Sequence, residues 1–293
     1  MINSRFIKTV ICMVSVLFLW KSPASAAPES KLWDRWFTHD ETSTAIVDHS
    51  IWNNLLEEYV VFGDDGINRV AYGWIIDGER EDLNRYIDNL SHVPVTALNR
   101  AEQRAYWINL YNALTVRVIL DAGKIQSIRD IDISPGFFSN GPWGKELVSV
   151  EGEMLTLDDI EHRILRPIWQ DPRIHYAVNC AALGCPNLWA AAVTAENAEA
   201  YLDHGAKRFI NHPRGSRVED GRAVVSSIYK WFSEDFGGSD QTLIAHLKTY
   251  ASNDLAAELD GVTDVMFEQY DWTLNANALP NAYAFTSGVS SGS

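Results

Sequence analysis

The fold is decided at residues 99–120, which read NRAEQRAYWINLYNALTVRVIL. Asn99 offers a side-chain acceptor and Glu102 follows three residues later with a carboxylate, a pattern that caps the N-terminus of a helix. The residues that follow are mostly apolar or aromatic, and Gly123 comes soon after them. The stretch therefore predicts a long buried helix that begins after Asn99 and ends near Leu120.

Shorter elements are predicted on both sides of this helix. Together they indicate a helix-rich α+β fold with a small mixed or antiparallel sheet, in a single domain over residues 27–282. Residues 127–143 are expected to form a long loop, and residues 283–293 a flexible tail. The other predicted helices are 32–37, 50–60, 81–90, 156–166, 195–211, 227–236 and 241–252, and the predicted strands are 70–76, 146–150 and 173–178, with a hairpin turn at 220–221.

The N-terminus has the features of a signal peptide. Residues 1–8 carry Arg5 and Lys8 without an acid, residues 9–20 form an apolar run, and residues 24–26 give the Ala-Ser-Ala pattern that signal peptidase accepts. The run is shorter than the roughly 20 residues that span a bilayer. The sequence therefore predicts that residues 1–26 are removed and that the mature chain is exported, either to the periplasm or out of the cell.

The mature chain is predicted to be strongly acidic. Removal of residues 1–26 takes three of the 24 basic residues and leaves 21 against 39 acidic ones, a formal net charge of −18. Affinity for nucleic acid comes largely from basic residues that neutralise phosphates, and an acidic surface repels them. The composition therefore argues against nucleic acid and favours a neutral or cationic small molecule or peptide as partner. No cofactor is predicted, since the chain lacks a glycine loop that would hold a phosphate.

Several motifs follow one another in a fixed order along the mature chain. They are RAYWINLYNAL at residues 104–114, DIEHRILR at 159–166, DPRIHYAVNC at 171–180, CP at 185–186 and YDWTLN at 270–275. Their order and spacing resemble domain of unknown function family 547, over roughly residues 50–275. The resemblance implies no particular reaction, because the family is named for lacking an assigned function.

Cys180 and Cys185 are the two cysteines that remain once residues 1–26 are removed. In an oxidising compartment a closely spaced pair is often a disulfide. Such a bridge would close a small loop and contribute on the order of 2–3 kcal/mol. The alternative is that Cys180 is a nucleophile, activated by a nearby imidazole or by the backbone amides of the turn. Both interpretations stay open at this point.

His175 and His162 are the candidate bases for Cys180, and Glu161 is the candidate carboxylate beside them. His175 lies five residues before Cys180 on the predicted strand, and His162 lies on the preceding predicted helix. Each histidine also has a structural interpretation, as a member of a helical ion pair or as a core side chain with its hydrogen bonds satisfied. Their convergence on Cys180 would favour the catalytic interpretation.

Asn109, Asn112 and Arg173 are the candidate substrate-binding residues. The two asparagines lie three residues apart on one face of the long helix, where buried amides need hydrogen-bond partners. They could hold a substrate or fix a loop, and the second role is the commoner one. No metal site is predicted, because the histidines lack a zinc-like spacing and no calcium loop is complete.

Two functional hypotheses of different class follow from these residues. The first is a thiol-dependent amide or peptide hydrolase or acyl transferase, with Cys180 attacking, a histidine as base, and backbone amides or Asn109 holding the oxyanion. The second is a non-catalytic extracytoplasmic binding or scaffold module, in which a Cys180–Cys185 disulfide shapes a recognition turn.

Overall fold

The computed structural model describes residues 28–136 and 141–277 of the chain. The predicted signal peptide and the predicted C-terminal tail lie outside the described residues. Among the residues that the structure describes, no helix is both long and apolar enough to cross a bilayer.

The central element is the helix Arg100–Ala122, which confirms the prediction made from residues 99–120. The side chain of Asn99 accepts a hydrogen bond from the backbone N–H of Glu102, and Gly123 ends the helix with a φ of 73°. Almost the whole helix is buried, including Trp107, which is fully shielded from solvent. A helix that is buried on nearly all faces forms the centre of a core, and the helices Asp77–Ser91, Ala198–Ile210 and Asp159–Leu165 pack against it.

The remaining helices are short to medium in length, as the sequence predicts for most of them. In chain order the α-helices are α1 Ser50–Tyr59, α2 Asp77–Ser91, α3 Arg100–Ala122, α4 Arg166–Trp169, α5 Ala198–Ile210, α6 Ile228–Trp231, α7 Asp240–Tyr250 and α8 Asn253–Glu258. Helix α4 continues a π-helix at Asp159–Leu165, and single 3₁₀ turns occur at Asp34–Phe37, Tyr72–Trp74, Val95–Ala97, Ile128–Asp130, Pro172–Tyr176 and Ser233–Phe236.

The strands form small separate sheets. Two antiparallel pairs join β1 Val60–Phe62 to β2 Asn68–Val70, and β3 Val148–Val150 to β4 Glu153–Leu155. The third sheet is mixed: β5 Ser216–Glu219 pairs antiparallel with β6 Arg222–Val225, and β6 pairs parallel with β7 Val265–Phe267. The predicted α+β class, rich in helix, is confirmed, and so is the hairpin at 220–221.

Two predicted strands are wrong. Residues 173–178 form the 3₁₀ turn Pro172–Tyr176, because Pro172 fixes its own φ near a helical value and the Asp171 side chain accepts the Arg173 N–H at 2.9 Å. Residues 174–178 are all buried, because the turn faces the core on several sides. Residues 70–76 likewise hold only the end of β2, followed by the 3₁₀ turn Tyr72–Trp74.

The C-terminal segment closes the fold over the turn that carries the cysteines. The Gly184 N–H donates to the Asp271 carbonyl at 2.9 Å, and the Leu183 N–H to the Thr273 carbonyl at 2.8 Å. Asn275 then links this segment to β2, since its carbonyl accepts from the Val70 N–H. A Cβ atom on Gly184 would lie 2.9 Å from the Asp271 carbonyl oxygen, so this close approach requires glycine. Residues far apart in sequence are thereby fixed around Cys180 and Cys185.

Candidate thiol site and adjoining ionic cluster

Two buried asparagines shape the turn that carries Cys180. The backbone N–H of Asn179 donates to Asn112 Oδ1 at 2.8 Å, and the Asn179 side chain accepts from the Ala181 N–H at 2.9 Å. Asn179 Nδ2 also donates to the Pro186 carbonyl at 2.7 Å. Ala181 is held at a φ of 57°, a conformation that costs energy for a residue with a Cβ and that is often found at functional sites.

The two cysteines are free thiols in contact with each other. Cys180 is half-buried and Cys185 is buried, and their sulfur atoms are 2.8 Å apart. This separation exceeds the length of a disulfide bond, about 2.05 Å, so the two sulfurs are not bonded. The Cys180 N–H points at Cys185 Sγ at 2.9 Å, and the Tyr270 hydroxyl lies 3.1 Å from Cys180 Sγ. A small movement would bring the two sulfurs within bonding distance.

The surroundings favour negative charge on Cys185. Hydrogen bonding to Cys185 and burial raise the pKa of the Cys180 thiol well above its ordinary value. Burial alone would raise the pKa of Cys185 as well, but the Cys180 thiol and amide, Tyr270 and the charge of Arg214 lower it. The more exposed residue of the pair, Cys180, and the residue whose sulfur best carries the charge, Cys185, are therefore different.

His175 lies in a buried ionic cluster close to this turn. Its Nε2–H donates to Asp235 Oδ2 at 2.6 Å, its Nδ1 lies 3.7 Å from Glu161 Oε1, and its ring stacks on Phe232 with centroids 4.1 Å apart. Burial opposes a charge on His175, yet the hydrogen bonds to the two carboxylates raise its pKa. Burial also opposes a charge on Asp235, but His175 and Arg166 lower the pKa of Asp235 to about 2. The two carboxylates therefore favour the protonated form of His175, which makes a charged pair with Asp235.

Arg166 and His162 complete the ionic cluster. Arg166 Nε donates to Asp235 Oδ2 at 2.6 Å, and one of its terminal nitrogens donates to His162 Nδ1 at 3.2 Å. Burial lowers the pKa of His162 to about 4, so its ring is neutral near pH 7 and can accept from Arg166. Glu161, His162 and Arg166 all project from the π-helix and its continuation, and such irregular turns occur frequently at functional sites.

The structure thus brings Glu161, His162 and His175 together but gives neither histidine a contact with the thiols. Within residues 28–136 and 141–277, Cys180 Sγ contacts Cys185 and Tyr270 and no imidazole. The cluster and the thiols are nevertheless neighbours, since Tyr111 hydrogen-bonds Glu161 and the negative charge of Glu161 acts on Cys180. The assignment of a histidine as base for Cys180 stays a prediction.

Residues 95–210 match the model of a family described as protein of unknown function, DUF547. Residues 95–210 therefore carry the match to this family, and we call them the DUF547 region. The matched segment contains α3, the ionic residues of the π-helix and the Cys180 turn, in agreement with the family that the sequence motifs resemble. Neither the curated proteins nor the solved structures contain a significant match to the chain.

Asn109 and Asn112 both use their amides inside the DUF547 region. Asn109 Nδ2 donates to the Val193 carbonyl at 2.7 Å, and its Oδ1 accepts from the Val193 N–H at 3.0 Å. Asn112 Nδ2 donates to the Ala177 carbonyl at 2.9 Å, while its Oδ1 holds Asn179. Both side chains therefore fix backbone against α3, and their predicted contact with a substrate is untested.

Arg173 lies in a different ion network of the DUF547 region. Its guanidinium contacts Asp171 at 2.6 Å, Asp203 at 2.7 Å and Glu199 at 2.8 Å. Glu199 and Asp203 tie the 3₁₀ turn Pro172–Tyr176 to α5, and Asp171 caps the turn. Any role of Arg173 in substrate binding would require it to leave some of these partners.

An open groove of about 590 Å³ lies next to the thiols, and it is lined partly by residues of the DUF547 region and partly by residues 269–273. Tyr270 lines this groove and contacts Cys180 Sγ through its hydroxyl, so the groove and the thiol site share a wall. Trp272 also lines the groove and is half-buried, and the guanidinium of Arg129 lies 5.4 Å from its ring. The other lining residues are polar: Gln126, Ser127, Asp130, Gln269, Asp271 and Thr273.

Asp235, Arg166, Tyr270 and Arg214 are the residues of the site that the sequence did not indicate. Asp235 lies 60 residues beyond His175, and Tyr270 lies 90 residues beyond Cys180. Local spacing carries no signal for contacts of this range. The described part of the chain holds no group of three or more histidine, cysteine, aspartate or glutamate side chains arranged to bind a metal ion.

Proposed function

We propose that the protein is an exported thiol–disulfide exchange protein with Cys180 and Cys185 as its reactive pair. The observation that carries this proposal is the 2.8 Å contact between two free sulfurs, one half-buried and one buried. A pair in this arrangement can form a disulfide with little movement of the backbone. The strained Ala181 and the tight turn keep the two sulfurs together in both redox states.

The two sulfurs take different roles in the exchange. A thiolate of a client protein attacks Cys180 Sγ of the oxidised pair, because Cys180 is the accessible member, and Cys185 leaves as a thiolate. A second client thiolate then attacks the client sulfur of the mixed disulfide, and Cys180 is released and takes up a proton. The client loses two electrons and gains a disulfide, while the pair gains both electrons. A leaving thiol with a low pKa speeds the first step, which suits Cys185.

A polypeptide client fits the groove beside the thiols. The half-buried Trp272 offers an aromatic surface, and the glutamines, Ser127 and Thr273 offer hydrogen-bonding groups for a peptide backbone. Asp130 and Asp271 add two carboxylates, in keeping with the formal net charge of −15 for the full chain. We therefore propose neutral or cationic peptide segments as partners. The signal-peptide features of residues 1–26 support export to a compartment in which disulfides persist.

A thiol-dependent amide or peptide hydrolase or acyl transferase is a second proposal for the same site. The half-buried Cys180 beside a peptide-sized groove favours it. It needs a base, and in the described chain the nearest hydrogen-bonding groups to Cys180 are Cys185 and Tyr270. It also needs free amides for an oxyanion, whereas the N–H groups of Cys180 and Ala181 already donate to Cys185 Sγ and to Asn179. Thiol–disulfide exchange requires neither a base beside Cys180 nor a free backbone amide for an oxyanion.

The two proposals and the binding-module alternative are separated by one assay. The oxidised protein is mixed with a reduced dithiol peptide that carries lysines, and the products are followed by mass. Exchange predicts a peptide lighter by two hydrogens and a protein heavier by two, with a faster reaction than for the same peptide carrying glutamates. In a parallel sample of the reduced protein, whose Cys180 is free to attack, cleaved peptide amides or a thioester on Cys180 would favour the hydrolase instead. Binding without any covalent change would favour a scaffold module.

A further inference from the structure

Arg214 is a half-buried arginine in contact with the thiol turn. Its terminal nitrogens donate to the Leu183 carbonyl at 2.5 Å and to Asn187 Oδ1 at 2.6 Å, and its guanidinium lies 5.6 Å from the centre of the Phe209 ring. Its Nε–H is buried and has no hydrogen-bond acceptor. The described residues give it no carboxylate within ion-pair distance, unlike Arg166, Arg173 and Arg217.

A guanidinium whose Nε–H is shielded from water and which has no counter-ion is costly, so a negative group is expected nearby. Three acidic groups act electrostatically on Arg214, namely Cys185, Tyr270 and Asp65. Asp65 already forms an ion pair with Arg69 at 2.7 Å. Burial raises the pKa of Tyr270 well above its ordinary value, so this phenol stays neutral. Cys185 is left as the group that can balance the charge.

We propose that Arg214 is a positioning residue that holds Cys185 as a thiolate in the reduced pair, and that it thereby makes the Cys180–Cys185 disulfide an oxidant of client thiols. The inference rests on the proposed exchange function. The Cys180 N–H and the Tyr270 hydroxyl stabilise the same thiolate. Stabilising the reduced form favours transfer of the disulfide to a client, because the equilibrium moves toward the two thiols.

The other titratable groups around the pair do not replace Arg214. Tyr72 and Tyr111 face both cysteines, and burial keeps these phenols neutral. Glu161 acts on Cys180 and would oppose a thiolate there, which leaves Cys185 as the favoured position. Arg69 repels Arg214 but is neutralised by Asp65.

The test compares Arg214→Gln with Arg217→Gln, an arginine three residues away that pairs with Glu219 and Glu268 on the surface. For each variant, the pH dependence of Cys185 alkylation and the equilibrium with a glutathione redox buffer are measured by mass. We expect Arg214→Gln to move the midpoint of alkylation to higher pH. We also expect it to favour the disulfide by about tenfold, a potential about 30 mV more negative. Arg217→Gln should match the wild type.

Asn187→Asp provides a second variant should Arg214→Gln fail to fold. It keeps Arg214 but gives it a carboxylate partner where Asn187 Oδ1 now accepts. The new carboxylate then balances the Arg214 charge, so Cys185 is less stabilised as a thiolate. We again expect the midpoint of Cys185 alkylation to move to higher pH and the disulfide to be favoured. The inference is overturned if the wild type forms the disulfide reversibly and the folded variants have the same alkylation midpoint and the same equilibrium with glutathione as the wild type. If the wild type forms no disulfide at all, the exchange function itself is wrong and this inference fails with it.

Discussion

Cys185→Ser, mixed with a client peptide that carries a disulfide, is expected to accumulate a mixed disulfide between Cys180 and the peptide, whereas Cys180→Ser is expected to accumulate almost none. Cys180 is half-buried and can reach a client, while Cys185 is buried beneath the turn. This experiment runs the exchange in reverse: Cys180 attacks the client disulfide, and one client sulfur leaves as a thiolate. In the wild type Cys185 then attacks Cys180 and releases the client, so without Cys185 the complex persists. We expect at least about a tenfold difference between the two variants, because access to the sulfur controls thiol–disulfide exchange. Intact mass after acid quenching measures the trapped species.

A matched control for this experiment is Tyr270→Phe, which keeps both sulfurs and removes only the hydroxyl 3.1 Å from Cys180 Sγ. It should exchange more slowly than the wild type but trap no complex, since Cys185 can still resolve it. Equal trapping by the two serine variants would contradict the assignment of roles. If Cys180→Ser traps the complex and Cys185→Ser does not, Cys185 is the sulfur that bonds to the client and Cys180 is the one that resolves the complex.

Asp235→Asn is expected to destabilise the fold by about 3 kcal/mol, the largest effect on stability that we predict. The substitution leaves Arg166 and His175 buried without their shared carboxylate, and breaking such a buried pair typically costs roughly 3–5 kcal/mol. We expect the lower end of this range because the Asp235 side chain is 19% exposed. The free energy of unfolding from denaturant titration provides the measurement.

The control for Asp235→Asn is Asp260→Asn, which removes the same charge from a surface pair with Lys248. The Asp260 side chain is 78% exposed, and an exposed pair contributes little, so a change below about 0.5 kcal/mol is expected. A similar small change for Asp235→Asn would show that the ionic cluster contributes little to stability.

The effect of Asp235→Asn should also depend on pH. The depressed pKa of Asp235, about 2, means that its contribution is present above the ordinary carboxylate value and is lost as the pH falls toward 2. The raised pKa of His175 means that its contribution is present below its ordinary value and is lost as the pH rises through the folded value. The difference in the free energy of unfolding between wild type and Asp235→Asn should therefore be largest between about pH 4 and pH 6.5.

The sequence predicts the helical part of the fold well because local signals specify it. Asn99 caps α3 as expected, and Thr156 with Asp159 marks the start of the π-helix, where each hydrogen-bonds the other. The strand predicted at 173–178 fails for the opposite reason. Its alternation of apolar side chains is compatible with a strand, but Asp171 and Pro172 dictate a turn that the alternation conceals.

The site is only partly visible in the sequence because its chemistry depends on contacts between distant residues. The sequence identifies Cys180, Cys185, His175, His162 and Glu161 as chemically notable, and the structure places the last three in one cluster. It cannot reveal that Asp235 lies against His175 or that Tyr270 lies against Cys180, since such pairs form only when the C-terminal half packs onto the DUF547 region. The sequence likewise does not indicate a role for Arg214, because only the structure shows that this arginine lacks a carboxylate partner.

The most direct test of the central claim is the redox titration of the purified protein. The protein, kept free of reductant, is equilibrated in glutathione buffers of increasing oxidising power, alkylated under denaturing conditions, and weighed. A reversible exchange pair predicts that Cys180 and Cys185 lose both alkylations together, at a potential less negative than the about −300 mV that is typical of structural disulfides. Two alkylations in every buffer, or a disulfide that no native-state buffer reduces, would contradict the proposed function.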